Sequence, residues 1–111
     1  MVTQEQFING IIRYTDAEIV SKISGLSKWM VSIGIGAYVA KIPDMIAKNR
    51  DMLISAEYIH QDGMICIDKL YGDLMNTVRK TGNVTQYIPL AGDMTFSEND
   101  VSTLYRYITG T

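Results

Sequence analysis

The residues best suited to covalent chemistry are the single cysteine and the single histidine. Cys66 and His60 lie on either side of Gln61-Asp62-Gly63, a sequence typical of a turn. A thiol–imidazole pair needs a third group that orients the imidazole, and the sequence offers no recognisable candidate. A lone cysteine in an apolar stretch usually packs as a small hydrophobic residue. We therefore predict no catalytic residue and expect that the chain is not an enzyme.

Metal binding is the next chemistry that the residue types suggest. Asp62-Gly63-Met64-Ile65 has the glycine and apolar residue found at the centre of a calcium-binding loop. With Gly63 at the sixth loop position, however, the first position holds Tyr58 and the last holds Lys69, where a bidentate glutamate is required. One histidine and one cysteine also give no recurring zinc-ligand spacing. We predict no metal site.

Carboxylates and glycines are the residue types that could supply acid–base catalysis and phosphate binding. Turn and helix-cap positions already account for several of the carboxylates that could form an acid–base pair. These carboxylates are Asp62, Asp68, Asp73, Asp93, Glu98 and Asp100. Gly34-Ile35-Gly36 lacks the rest of a dinucleotide-binding fingerprint and follows no predicted strand. The prediction is that the chain uses no cofactor.

Composition limits the class of protein and its partners. The 111 residues are 47% hydrophobic and 20% charged, which predicts one folded domain covering 1–111. A net charge of −2 gives no basic field for nucleic acid. The lone cysteine and the polar N-terminus favour a reducing cytoplasm. The uncharged stretch from Trp29 to Ala40 is shorter than the roughly 20 residues that span a bilayer, so no membrane span is predicted.

The first half of the domain, residues 1–58, is predicted to be helical. A Thr3/Gln6 capping box starts a helix over about 4–23, with Gly25 as its left-handed C-cap. A second helix covers 26–41, and Pro43 begins a third that fades near 55–58. The predicted buried face of the third helix comprises Met45, Ile46, Met52, Leu53 and Ala56.

The second half, residues 59–111, is predicted to contain a strand, a helix, a hairpin and a helix. Met64–Cys66 is a short strand, and Asp68 caps a helix that stops at Gly82. Val84–Leu90, a turn at 91–93 and Met94–Phe96 form a hairpin. A Ser97/Asp100 capping box then starts the last helix. The fold class is therefore α+β and mostly helical, with about five helices and a small antiparallel sheet of two or three short strands.

The second helix is the unusual element because it is apolar nearly all round. One stripe contains Leu26, Trp29, Met30, Ile33, Ala37 and Ala40, and another contains Val31, Ile35, Tyr38, Val39 and Ile42. Such a helix lies in a core, in a subunit interface or against lipid. Small residues four apart allow close approach of another backbone, so we predict an interface at Trp29, Ser32, Gly36 and Ala40. Tyr105 and Tyr107 are further candidates, because tyrosine is frequent at protein contacts.

Several short motifs together resemble small uncharacterised proteins encoded in prophages and phages of Gram-positive bacteria. The motifs are Lys28-Trp29-Met30, Asp62-Gly63-Met64, Ile67-Asp68-Lys69-Leu70-Tyr71, Ile88-Pro89-Leu90, Met94-Thr95-Phe96, Asp100-Val101 and Leu104-Tyr105-Arg106-Tyr107-Ile108. The resemblance implies a phage setting, with the protein in the cytoplasm of a bacterial host or incorporated in a virion, and it transfers no functional residue.

The resulting functional hypothesis is a non-enzymatic phage or prophage protein that acts by protein–protein interaction, as an oligomeric virion or assembly component. One alternative is a phage-encoded inhibitor of a host defence or regulatory protein. A second is a winged-helix-like DNA-binding regulator, because the order of helices and hairpin in the second half partly matches that fold. Only Lys69, Arg79 and Lys80 lie near its would-be reading surface.

Overall fold

A computed structural model describes residues 1–23, 25–88 and 92–111. The described residues form five helical segments and one two-stranded sheet, so the predicted mostly helical α+β class is confirmed. The helices are α1 (Gln4–Tyr14), α2 (Gly25–Val39), α3 (Ile42–Lys48), α4 (Arg50–Ser55), α5 (Ile67–Thr81) and α6 (Glu98–Thr109). The strands are β1 (Val84–Ile88) and β2 (Gly92–Phe96). Helices α3 and α4 are consecutive parts of one segment.

The first helical segment begins at the predicted capping box. The Thr3 side chain accepts a hydrogen bond from the Gln6 backbone N–H at 3.0 Å, and the Gln6 side chain accepts one from the Thr3 N–H at 2.8 Å. A π-helical turn at Thr15–Ile19 and a 3-10 turn at Val20–Lys22 continue α1, close to the predicted 4–23. The prediction of Gly25 as a C-cap is wrong. The segment ends in the extended residue Ile23, and Gly25 begins α2.

The third predicted helix is divided at one residue. The Asn49 side chain and its backbone N–H both donate to the Met45 carbonyl, at 2.8 and 3.1 Å, and the non-helical backbone of Asn49 (φ −109°, ψ 20°) separates α3 from α4. The segment ends at Ser55 as predicted. Its predicted buried face is partly wrong, because Met45 is 48% exposed and Met52 is 58% exposed. Ile46 and Leu53 do pack against the core.

The connection to α5 contains a tight turn rather than a strand. Gly63 has φ +89°, which only glycine adopts without strain, and the Asp62 carboxylate accepts from the Met64 N–H at 3.0 Å. Ile65 forms single bridges to Val2 and Ile59, so the predicted Met64–Cys66 strand is reduced to one residue. Asp68 is not the cap of α5, because the helix begins at Ile67 and Asp68 lies within its first turn. The helix ends before Gly82 as predicted.

The hairpin pairs β1 with β2 antiparallel, with Val84 opposite Phe96 and Ile88 opposite Gly92. Gly92 and Asp93 therefore belong to the strand and not to the predicted turn. The rest of that turn and the end of the predicted first strand, 89–91, lie outside the described residues. The Ser97/Asp100 capping box that starts α6 is confirmed.

The core is organised around α6, against which both α1 and α5 pack. Gly10 permits the closest approach, since a Cβ at this position would lie 2.5 Å from the Ile108 Cα atom. One apolar cluster surrounds Ile108 and joins the N-terminus to the Ile65 bridge. A second cluster, around Tyr14 and Val31, attaches α2 to the rest of the domain.

Candidate functional site

Helix α2 packs on the domain along one face only. Val31 is fully buried, and Val39, two turns later, is 3% exposed. Ile35 lies between them and packs on the cluster that contains Tyr14 and Val20. The spacing of four residues places these three side chains on one side of the helix. This inner face accounts for one of the two apolar stripes in the sequence, except that Tyr38 is exposed.

The opposite side of α2 is apolar and uncovered. Trp29 is 66% exposed, Ile33 is 54% exposed and Met30 is 47% exposed. Gly36, Ala37 and Ala40 continue the same face and are also exposed. Trp29, Ile33, Gly36 and Ala40 follow the i, i+4, i+7, i+11 spacing of a single stripe. We call the surface formed by Trp29, Met30, Ile33, Gly36, Ala37 and Ala40 the outer face.

Gly34 and Gly36 of α2 have open space above them in the described part of the chain. No atom outside the local helix lies within 4 Å of an ideal Cβ placed on Gly34 or Gly36. Each glycine costs a helix about 1 kcal/mol relative to alanine, and nothing in the described part of the domain requires that cost. The space above Gly36 is therefore available to a group from outside the chain.

The structure separates the predicted interface residues into two groups. Trp29, Gly36 and Ala40 lie on the outer face, and the partly exposed Ser32 lies at its border. Tyr105 and Tyr107 lie on α6 and are partly buried.

The two α6 tyrosines make contacts within the domain. The Tyr105 hydroxyl donates to Asp68 at 2.6 Å, and its ring packs on Tyr71 with 4.4 Å between ring centroids. The Tyr107 ring meets Tyr14 edge to face at 5.8 Å. These contacts explain both positions through packing between helices, and they do not join the tyrosines to the outer face.

Hydrogen bonds and burial stabilise the protonated form of three tyrosines. A hydrogen bond to Asp73 raises the pKa of Tyr58, and one to Asp68 raises the pKa of Tyr105. Burial, together with the negative charges of Asp100 and Glu18, raises the pKa of Tyr14 to about 12. These hydroxyls remain protonated at neutral pH and supply neither a base nor an anionic nucleophile.

A cleft of about 390 Å³ between α1, α5 and α6 is a feature that the sequence analysis missed. Apolar side chains from the three helices line most of it, among them Phe7, Ile11, Leu70, Leu74 and Leu104. The principal charged group at the cleft, Asp73, already accepts a hydrogen bond from the Tyr58 hydroxyl at 2.6 Å and lies 3.7 Å from the Lys69 ammonium group. The cleft can accept an apolar group but presents few polar groups to orient a substrate.

The single histidine and the single cysteine do not form a catalytic pair. His60 is exposed in its turn, and Cys66 is half-buried at the start of α5. Across residues 1–23, 25–88 and 92–111, no three histidine, cysteine, aspartate or glutamate residues form a group that could hold a metal ion. The main exposed apolar surface among the described residues is therefore the outer face.

The segment Lys28–Lys48 meets the minimum length and hydropathy of a membrane-spanning helix, and 11% of its most apolar window is buried. Its uncharged part, Trp29–Ala40, is about 18 Å long at 1.5 Å per residue, which is shorter than the roughly 30 Å thickness of the bilayer hydrocarbon. Lys41 and the end of α2 at Val39 interrupt the segment near its middle. Val31 and Val39 also fix the inner face of α2 to the domain.

Comparison with known proteins gives no relative on which to assign the outer face. The chain matches no protein-family model, and no curated protein and no solved structure shows significant similarity to it.

Proposed function

We propose that the chain is a non-enzymatic protein of phage or prophage origin that acts by binding protein through the outer face of α2. The observation that carries this proposal is the exposure of Trp29, Met30 and Ile33 on one side of a helix whose other side is buried. The largest contiguous apolar patch on a monomer typically covers about 300–600 Å² and is often functional. Tryptophan is one of the residue types enriched among those that dominate binding energy at protein interfaces.

Charge pairing supports protein over nucleic acid as the partner. Lys69 lies 3.7 Å from Asp73, and Arg79 lies 3.4 Å from Glu98. These are two of the three cations near the surface on which a winged-helix protein would read DNA. Because neighbouring carboxylates offset their charge and the whole chain carries −2, the helix α5 surface offers little attraction for phosphate.

Photo-crosslinking tests whether the outer face contacts protein. Trp29 is replaced by p-benzoylphenylalanine in cells that express the chain from its native locus, and the matched control carries the same group at the exposed Asn76 of α5. We expect a protein adduct from position 29 and none from position 76. Equal adducts from both positions, or adducts to lipid alone, would contradict the proposal.

The identity of the adduct separates the two phage roles. An adduct to the chain itself or to a virion protein supports an assembly component, and tail or capsid genes on either side of the gene would agree with it. An adduct to a host regulatory or defence protein supports the inhibitor instead. Both results keep the outer face as the contact surface.

A further inference from the structure

The outer face divides into a bulky half and a small half. Trp29, Met30 and Ile33 occupy its N-terminal half, whereas Gly36, Ala37 and Ala40 occupy its C-terminal half. No charged residue interrupts it. The open space at Gly36 and the protruding side chain of Ile33 are one helical turn apart on the same stripe.

We infer that the outer face binds α2 of a second copy of this chain in antiparallel orientation, about a two-fold axis near residues 34–35. This inference rests on the proposed function and specifies its partner. In this arrangement Trp29 lies over Ala40 of the partner subunit, and Ile33 lies beside Gly36 of the partner subunit. Each bulky half then fills the space above a small half.

Size complementarity selects the antiparallel orientation. In a parallel pair, Trp29 and Ile33 would each meet their own equivalents, while the two small halves would face each other across a gap. Such a pair would be overpacked where Trp29 and Ile33 meet their equivalents and would leave a cavity between the small halves, and both effects are unfavourable. An antiparallel two-fold pair also uses the same surface on both subunits and closes on itself, so no apolar face remains open.

The area available sets the strength of the association. With about 200 Å² for a large apolar side chain, the exposed fractions of Trp29, Met30 and Ile33 amount to roughly 330 Å² per subunit. Two subunits would bury at most about 670 Å² from these residues and some more from the small ones, which falls in the weak class below about 1,200 Å². The pair is therefore reversible and forms at high concentrations of the chain.

Disulfide trapping with two differently tagged chains tests the orientation. One chain carries Trp29→Cys and the other Ala40→Cys, both with Cys66→Ser to remove the native thiol. In the antiparallel pair, positions 29 and 40 are level, while equivalent positions are separated by about 16 Å along the helix axis at 1.5 Å per residue. Because a disulfide requires Cα atoms within about 7 Å, we expect a disulfide between the two different chains. We expect no disulfide between two chains that carry the same substitution.

Each outcome of the trapping has one meaning. Homodisulfides from each chain alone would indicate parallel pairing and overturn the inference, while leaving the outer face as a protein contact. No disulfide, with monomeric sedimentation of the unmodified chain, would exclude a second copy as the occupant. The proposed function would then depend on the photo-crosslinking alone. A chain with Asn76→Cys in place of Ala40→Cys is the control and should give no mixed disulfide.

Anionic phospholipid vesicles test the competing occupant of the same face. We expect the unmodified chain to remain in the supernatant when vesicles are sedimented. Co-sedimentation that is lost in an Ile33→Glu variant would identify a lipid surface as the occupant and overturn the inference. Ile33 is exposed within the single chain, so this variant retains its fold.

Discussion

At the scale of single residues, Ser97 shows how one side chain fixes the start of a helix. Its hydroxyl accepts from the Asp100 N–H at 3.3 Å, and the Asp100 carboxylate accepts from the Ser97 N–H at 2.9 Å. These bonds satisfy backbone donors that the first turn of α6 cannot pair internally. The helix they start supplies Val101 and Ile108 to the core.

Ser97→Ala should lower the free energy of unfolding by about 1 kcal/mol, because it removes the acceptor for one of these donors. Denaturant titration followed by circular dichroism measures the change. Ser97→Asn is the matched control and should stay within a few tenths of a kcal/mol, since asparagine also caps helices well. An equal loss in both variants would show that the cap is not the cause.

Tyr14 predicts a response of stability to alkaline pH. Its pKa is raised from 10.0 to about 12 by burial and by neighbouring carboxylates, so the folded chain holds the proton more tightly than the unfolded chain. The resulting stabilisation is fully present below pH 10 and is lost as the pH rises from 10 towards 12, by about 2 kcal/mol. In Tyr14→Phe, the fall in unfolding free energy over pH 9–11.5 should be shallower than in the unmodified chain. Equal slopes would refute this role for Tyr14.

Residue patterns also mark the limit of prediction from the sequence. Both capping boxes were predicted correctly, because the signal lies within four consecutive residues. Gly25 was assigned wrongly as a C-cap, because Ile23 ends its segment in an extended conformation and needs no left-handed glycine. Asp68 is a residue type that often caps helices, but α5 starts one residue earlier, at Ile67. The Asp68 carboxylate instead accepts a hydrogen bond from the hydroxyl of Tyr105, 37 positions away.

At the scale of elements, the sequence predicts the two apolar stripes of α2, but it does not predict which stripe is buried and which is exposed. Periodicity shows that Val31 and Ile33 lie on different sides of a helix, and only the position of α1 and α6 decides which side is buried. The same limit explains Met45 and Met52, which have apolar side chains at helical spacing and remain exposed. The cleft was missed because it forms between three helices that are distant in sequence.

The contact between α1 and α6 makes a second prediction at this scale. Gly10→Ala should lower the free energy of unfolding by about 2 kcal/mol, because the added methyl group meets the Ile108 backbone at 2.5 Å and the helices must separate. Gly72→Ala in α5 is the control, since within the described residues no atom outside the local helix lies within 4 Å of its ideal Cβ. That variant should instead gain up to about 1 kcal/mol in helix propensity. Similar effects of the two substitutions in denaturant titration would contradict the proposed close approach.

At the scale of the whole molecule, the proposed function gives the inner and outer faces of α2 separate roles. The inner face fixes the helix to the domain through a core that also contains Tyr14 and Tyr107. In the proposed function, the outer face presents its apolar surface on a helix that is already formed and packed on the domain, so that binding does not have to order the helix first. The phage setting and the oligomeric state were predicted from sequence and depend on the experiments above.

Association through the outer face predicts a melting temperature that depends on protein concentration, because a second copy stabilises only the folded chain. Above the dissociation constant, the unmodified chain should gain a few degrees for roughly each tenfold increase in concentration. Gly36→Leu should abolish this dependence, since its side chain fills the space that Ile33 of the partner subunit needs. The variant should keep its helical circular-dichroism signal, because an ideal Cβ at position 36 has no atom outside the local helix within 4 Å. Gly72→Leu, at a glycine with the same open surroundings on α5, should retain the dependence. A melting temperature that stays constant up to a concentration at which sedimentation still shows only monomer, extended to the millimolar range, would mean that the outer face binds something other than a second copy.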